Sequence, residues 1–490
     1  MIIHRTHNVG GLQTELLCLS ARLAMHAAAA TREGRQGMSW IGSIEHNRWL
    51  SRQMQALLEH GRAAIAPTGY GYFKADGSLD TDRPVDLAIT ARMTFAYSLG
   101  TLLGIPGCRR YCDHGIRSMQ TYFRDREYGG WFAAIEHEPD AAGAGVPWAE
   151  GGDEKWQYAQ AFLILAAATA ATANRPGAVE LLRDALADQE AHWWEEGPGG
   201  VVDRYSRDWS EDSGYRGLNS LMHTSEAYLA AAEAISDPIW VQRAGRMLQM
   251  AYQEAEVFGW RAPEHFDRNW KPLPDYNIDK PNTPYYPYGA VVGHGLELAR
   301  LGVEYRGALR ELGLTEEWDI LDGSANLFDR ARADGWRRGG KPGFLYTTTL
   351  TGEPVLTEHL QWVVSEGITA AASLRQAVLD DGGSSGDVEL YDHSYRSWVD
   401  YLNDYMLLET GVLARVLDAD NEPTEGTIPS RPDIYHPIQA MLASRVPLWP
   451  PVGAAIGRGL LDKPAGAPPR LVKSKRRFSR GDQPLLSWRQ

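Results

Sequence analysis

EKWQYAQAFLILAAATAATAN at residues 154–174 and GAVELLRDALADQEAHWW at 177–194 carry apolar residues at helical spacing on either side of a very short connector. They read as one helical hairpin, closed by the turn Gly197-Pro198-Gly199-Gly200. The pattern continues outward in both directions. Helical spacing fills 45–62, 84–104 and 107–124 before this hairpin. After it come 219–236, 238–257, 290–311, 315–334, 358–379, 388–412 and 433–444. Connectors such as Tyr128-Gly129-Gly130-Trp131 separate many of the segments, and β-like pieces such as Phe344 to Thr349 sit within them. Twelve helices without a long strand run predict an all-α toroid of six helical hairpins with short β-hairpins in its loops. Each hairpin needs neighbours on both sides to bury its faces. One catalytic domain over 38–461 is the economical count, although no internal sequence repeat supports it.

The two ends differ from this body. The apolar run from Leu16 to Ala30 is broken by Arg22 and His26 and lacks the order of a signal peptide. Residues 1–37 are therefore expected to be a flexible N-terminal extension, with Met38 as an alternative start. Lys473, Lys475, Arg476, Arg477 and Arg480 crowd into a basic Pro-rich tail over 462–490, expected to be solvated. No apolar stretch reaches the roughly 20 residues of a membrane span. A formal charge of -14 argues against a nucleic-acid partner, which calls for a basic stripe. Three cysteines, Cys18, Cys108 and Cys112, cannot build a disulfide framework, which fits a reducing cytoplasm. Cys108 and Cys112 share a helical face but have no second Cys/His pair for zinc, so a structural role is expected. The chain's 17 tryptophans and 22 tyrosines exceed what a core needs and suit a sugar-binding cleft.

Met222-His223-Thr224-Ser225-Glu226 opens one Ala-rich helix and Gly293-His294-Gly295-Leu296-Glu297 opens another, so each His shares a helical face with a Glu three residues on. One such pair reads equally well as a surface ion pair or a satisfied core histidine. Two, at the starts of alternate inner helices, point to a cavity. Moving a proton between adjacent carbons of an open-chain sugar requires a base, an acid and a polar lining for the enediolate. Histidine, with a pKa near 6.5, serves as either acid or base. Glu226, Glu297 and Glu366 are candidates to orient the rings or bind hydroxyls, and Arg92 to stabilise charge on a sugar oxygen. Neither His-Glu-x-x-His nor the Glu-x-x-His repeats of di-iron bundles occurs, so no metal and no cofactor are expected.

Ordered motifs from Met38 to about Asp462 carry a family resemblance. His46-Asn47-Arg48-Trp49-Leu50, Ile89-Thr90-Ala91-Arg92-Met93, Asp113-His114-Gly115, Tyr128-Gly129-Gly130-Trp131 and Tyr215-Arg216-Gly217 with Asn219, Met222 and His223 resemble the N-acylglucosamine 2-epimerase superfamily. Glu264-His265-Phe266-Asp267, Pro272-Leu273-Pro274-Asp275-Tyr276-Asn277, Leu417-Asp418-Ala419-Asp420-Asn421 and Asp433-Ile434-Tyr435-His436 are similar to its mannose isomerase and sulfoquinovose isomerase branch. The resemblance implies an (α/α)6 barrel and cofactor-free aldose–ketose isomerisation through a cis-enediolate. It places the catalytic histidines at His294 and His436, cavity positions at Arg92, His223, Glu297 and Glu366, and sugar contacts at Asn219 and Trp362. His393 matches no motif and is expected at the surface or a helix start.

The departures from the family bear on the substrate. Pro284-Tyr285-Tyr286-Pro287-Tyr288-Gly289 stands where the family usually carries an arginine, which the sulfosugar enzyme uses to hold its sulfonate, and a neutral tyrosine-rich loop suits stacking on a sugar. Ala88 replaces a common tryptophan, which is expected to widen the cavity. Arg415, where relatives show glutamine or histidine, argues the other way, because guanidinium binds sulfonate or phosphate oxygens in pairs. The expected reaction is D-mannose to D-fructose on a monosaccharide substrate. Alternatives are a sulfoquinovose isomerase, a sugar 2-epimerase and, outside the family, an α/α-barrel glycoside hydrolase using Asp418, Asp420, Glu297 or Glu366. A homo-oligomer is left open.

Overall fold

The computed structural model describes residues 39–463, apart from 75–76, 425 and 427–433. The expectations for residues 1–37, for Met38 and for the tail from 464 onward lie outside the described residues, as does Asp433. Asp462, where the tail was expected to begin, is held to the body by Arg445 at 2.7 Å and Asn47 at 2.8 Å.

The opening hairpin is present as α4 (Gln157–Thr172) and α5 (Ala178–Asp188). Before it lie α1 (Ile44–His60), α2 (Leu87–Leu102) and α3 (Cys108–Thr121). After it come α6 (Leu218–Ile235), α7 (Ile239–Val257), α8 (Val292–Leu312) and α9 (Ile320–Gly335). The set ends with α10 (Gln361–Asp380), α11 (Ser385–Tyr401), α12 (Tyr435–Leu442) and a short α13 (Val452–Gly457). All twelve expected helices are there. α13, only six residues long, was too short to show a period.

The even-numbered helices α2 to α12 pack side by side in a closed inner ring, and the odd-numbered α1 to α11 lie outside it. Burial separates the two sets. α4 is buried on every side from Gln157 to Ala170, whereas α5 buries only Ala178, Leu181, Leu182, Ala185 and Leu186, a single stripe at helical spacing. Ala-rich inner helices suit the crowded ring because small side chains let six helices converge. The last hairpin is made from the two ends of the described chain, with α12 packed on α1. The fold is an (α/α)6 barrel.

A short strand precedes each of α2, α4, α6, α8 and α10 and pairs antiparallel with a strand that follows the outer helix of the same hairpin. The residue just before that second strand accepts the first backbone N–H of the inner helix. Ala133, Asp203, Glu264, Tyr346 and Arg415 accept from Leu87, Gln157, Leu218, Val292 and Gln361 at 2.9–3.1 Å. An orphan donor of each helix start is thereby satisfied, and five equivalent side chains are placed around one mouth.

One segment departs from expectation. Helical spacing was read over 388–412, but α11 ends at Tyr401, a π turn spans Leu402–Met406, and Leu407–Glu409 pairs with Val412–Leu413. Gly411, at φ +80°, turns this hairpin, and an added Cβ would collide with the backbone of Ala56 on α1. Hairpin and helix share the same apolar residue types, so period alone could not separate them.

Candidate active site

The N-terminal turns of the inner helices meet at the mouth. A cavity there is lined by Arg92, Asn219, His223, His294, Glu297, Trp362, Arg415 and His436, together with Tyr158, Tyr285, Pro287 and Tyr346. Eight of the ten residues selected from the sequence therefore line one cavity, and Glu226 is buried outside that lining. Glu366 is fully buried directly behind His436. His393 is exposed on α11. Cys108 and Cys112 are buried free thiols in α3. Ala88 is buried in the first turn of α2, outside this lining.

Two histidine–carboxylate pairs face the cavity. Nδ1 of His294 lies 2.8 Å from Oε2 of Glu264, whose other oxygen accepts the Val291 N–H at 3.2 Å. Nδ1 of His436 lies 2.7 Å from Oε1 of Glu366. Trp362 stands between the two histidines, its ring centroid 5.3 Å from His294 and 5.5 Å from His436. Gly293 makes room for it, since a Cβ there would run into the indole. A carboxylate on Nδ1 fixes each ring's orientation and leaves Nε2 as the ring nitrogen able to exchange a proton.

Arg300, three residues beyond Glu297 on α8 and only 1% exposed, supports this layer from beneath. It bonds Glu226 and Glu366 at 3.3 Å, Glu297 at 3.4 Å and Glu304 at 3.2 Å. Burial alone would raise the pKa of Glu226, but Arg300, His223 and a hydrogen bond from Tyr435 bring it down to about 2. Glu366 is likewise held below its usual range by Arg300 and His436 against burial. Burial and repulsion from Glu366 push Glu297 the other way, well above the usual carboxylate range, against the pull of Arg300. Its Oε2 has no hydrogen-bond partner among the described residues. Burial lowers His223 to about 3 despite Glu226, which keeps its ring uncharged.

His223, Glu226 and Glu297, and again Glu297, Glu366 and His436, bring metal-capable donor atoms within 4.8 Å of one another, groupings that sequence spacing did not announce. Arg300 sits as the cation bonded to these carboxylates. Arg92 donates to the Tyr158 hydroxyl at 2.8 Å, and its guanidinium lies 4.1 Å from the Phe162 ring centre. In the tyrosine-rich loop, Tyr285 and Pro287 reach the cavity. Tyr285 adopts φ +65°, and the Asn277 amide pins the loop by donating to Tyr286 O at 2.6 Å.

Over residues 69–440 the chain matches the family model for N-acylglucosamine 2-epimerase. It is 37% identical over 421 residues to a D-mannose isomerase of Thermobifida fusca, covering 85% of this chain and 98% of that protein. It is 34% identical over 420 residues to a D-mannose isomerase of Pseudomonas cannabina pv. alisalensis, covering 85% and 97%. A crystal structure of D-mannose isomerase matches the fold with a TM-score of 0.72 at 24% identity, covering 83% of this chain and 98% of that one. The chain belongs to the N-acylglucosamine 2-epimerase family.

Proposed function

We propose that this protein is an aldose–ketose isomerase that interconverts D-mannose and D-fructose. The observation that carries the reading is the pair of histidine–glutamate dyads, His294–Glu264 and His436–Glu366, on either side of Trp362 in one cavity. In the open-chain sugar one imidazole takes the proton from C2 while the other side of the site protonates O1, giving the enediol. The O2 proton then leaves and C1 gains a proton, which yields the ketose. Protons taken and given balance, and no electrons leave the sugar. Each dyad's carboxylate stabilises its ring when the ring is charged.

Arg92 and Arg415 supply positive charge at the wall for the oxygens that become negative. His223, uncharged, and Glu297, whose carboxyl burial and Glu366 push upward, act as hydrogen-bonding contacts for hydroxyls rather than as the proton-transfer pair. Asn219 and Trp362 hold the sugar. The relatives' activity on mannose supports the neutral hexose. Arg415 on the cavity wall is the one observation that favours a second reading, a sulfonated sugar.

The test is to incubate the protein with D-mannose, D-glucose and sulfoquinovose and assay each product. Fructose from mannose, with little turnover of sulfoquinovose, is expected. Glucose as the sole product from mannose would make the enzyme a 2-epimerase, and preferred turnover of sulfoquinovose would select the second reading.

A further inference from the structure

A smaller pocket opens beside the main cavity, and Tyr158, Asn219 and Tyr285 line both. Glu264 also lines this side pocket while holding Nδ1 of His294 at 2.8 Å. The pocket therefore begins one side chain away from the proposed proton-transfer centre. Asp203, 5% exposed, also lines it, and its carboxylate accepts the Ser220 hydroxyl at 2.5 Å.

The repeat in the barrel gives Asp203 a meaning that its sequence context does not. In the second hairpin it occupies the position that Glu264, Tyr346 and Arg415 hold in the next three, each accepting the first N–H of an inner helix through its carbonyl. All three of those side chains line the main cavity or this pocket. The neighbouring cations are already engaged: Arg204 with Glu154 at 3.1 Å and with the Tyr286 hydroxyl, Arg216 with Glu195 and Asp212. Among the described residues, the pocket lining thus presents aromatic walls, His265 and the buried carboxylates of Asp203 and Glu264, with no lysine or arginine for an anionic group. Burial pushes the Asp203 carboxyl above its usual range, a strain that a donating hydroxyl relieves.

Resting on the isomerase reading above, we infer that this pocket receives the uncharged C5–C6 end of the open-chain sugar, with Asp203 as the specificity-determining contact to its hydroxyls. With C1 and C2 held at the histidines, the remaining four carbons extend past Asn219 and Tyr285 into the pocket. Neutral hexoses fit. Sugars bearing phosphate or sulfonate at C6 are rejected by the carboxylate, because like charges in a desolvated pocket discriminate strongly.

The test compares D-mannose with D-lyxose, which is the same sugar without its C6 hydroxymethyl group, and with mannose 6-phosphate. Wild-type protein should favour mannose over lyxose in kcat/KM and leave the phosphate ester unconverted. Asp203→Asn, which keeps the size of the side chain and an acceptor for Ser220, should reduce the mannose-to-lyxose ratio about 10-fold, the scale of a lost hydrogen bond to a charged group. Asp203→Ala should reduce it at least as much. An unchanged ratio in the soluble, folded Asn variant, with both sugars losing alike, would make Asp203 a scaffold residue and overturn the inference. So would conversion of mannose 6-phosphate at a rate comparable to mannose. No ketose from either neutral sugar with wild-type protein would instead overturn the isomerase reading itself.

Discussion

Glu264 and Glu366 reach the two histidines from 30 and 70 residues away in sequence, and the chemistry assigned to those rings depends on both contacts. Glu366→Gln removes the charge that stabilises imidazolium and permits the wrong tautomer at His436. Its kcat should fall by about 100-fold or more with a smaller change in KM; steady-state kinetics with wild-type-like kcat would place the dyad outside the reaction. His223 supplies a different prediction. Its folded pKa near 3 lies below the ordinary 6.5, so the unfolded chain binds a proton that the native one refuses. The stability this histidine contributes is complete above about pH 6.5 and is lost as pH falls toward 3. Urea midpoints at pH 7 and pH 4.5 should therefore converge in His223→Asn relative to wild type; an equal acid loss in both would contradict the assignment. His294 with Glu297 was legible from spacing on one helix, and His436 only through the Asp-Ile-Tyr-His resemblance. Glu264 was invisible as a site residue because its partner His294 is 30 residues away, and Arg300 reads as a local i,i+3 and i,i+4 ion pair because Glu226 and Glu366 reach it from 74 and 66 residues away.

α8 carries the densest set of these groups, with His294, Glu297, Arg300 and Glu304 along one face. Arg300 is the cation to which three buried carboxylates and the half-buried Glu304 bind, so Arg300→Met should destabilise the protein by about 3–5 kcal/mol, read as a shift in the denaturant midpoint. A loss below about 1 kcal/mol would mean that the carboxylates neutralise themselves by taking up protons. The helices themselves were readable because outer elements such as α5 bury one stripe at helical spacing and inner ones such as α4 are apolar throughout. The limit of that signal lies after Tyr401. Leu407 and Leu413 continue an apolar pattern while the backbone turns through Gly411 to dock on α1. Short β pieces in the loops were expected, and Phe344 to Thr349 does hold a strand of one of the five pairs at the mouth, but the pairings themselves were not readable, since two or three residues carry no period.

The barrel closes only where α12, which bears His436, packs against α1 at the other end of the described chain. Asn47 and Ser51 of α1 also bond Asp462 and Arg445, at 2.8 Å and 3.0 Å, which ties the closing segment down. A chain lacking residues 39–60 retains every cavity residue in sequence, yet it should lose the isomerase activity because α12 loses its seat. Retained activity in that truncation would show that the ring tolerates a gap. The central claim, that two histidine–glutamate dyads move a proton between C1 and C2, has a direct test in deuterium oxide. D-Mannose is incubated with wild-type protein, His294→Asn and His436→Asn, and the products are followed by NMR. The account predicts fructose bearing deuterium at C1 from the wild type and at least about 100-fold slower formation from each variant. Fructose from either variant at near wild-type rates would contradict it.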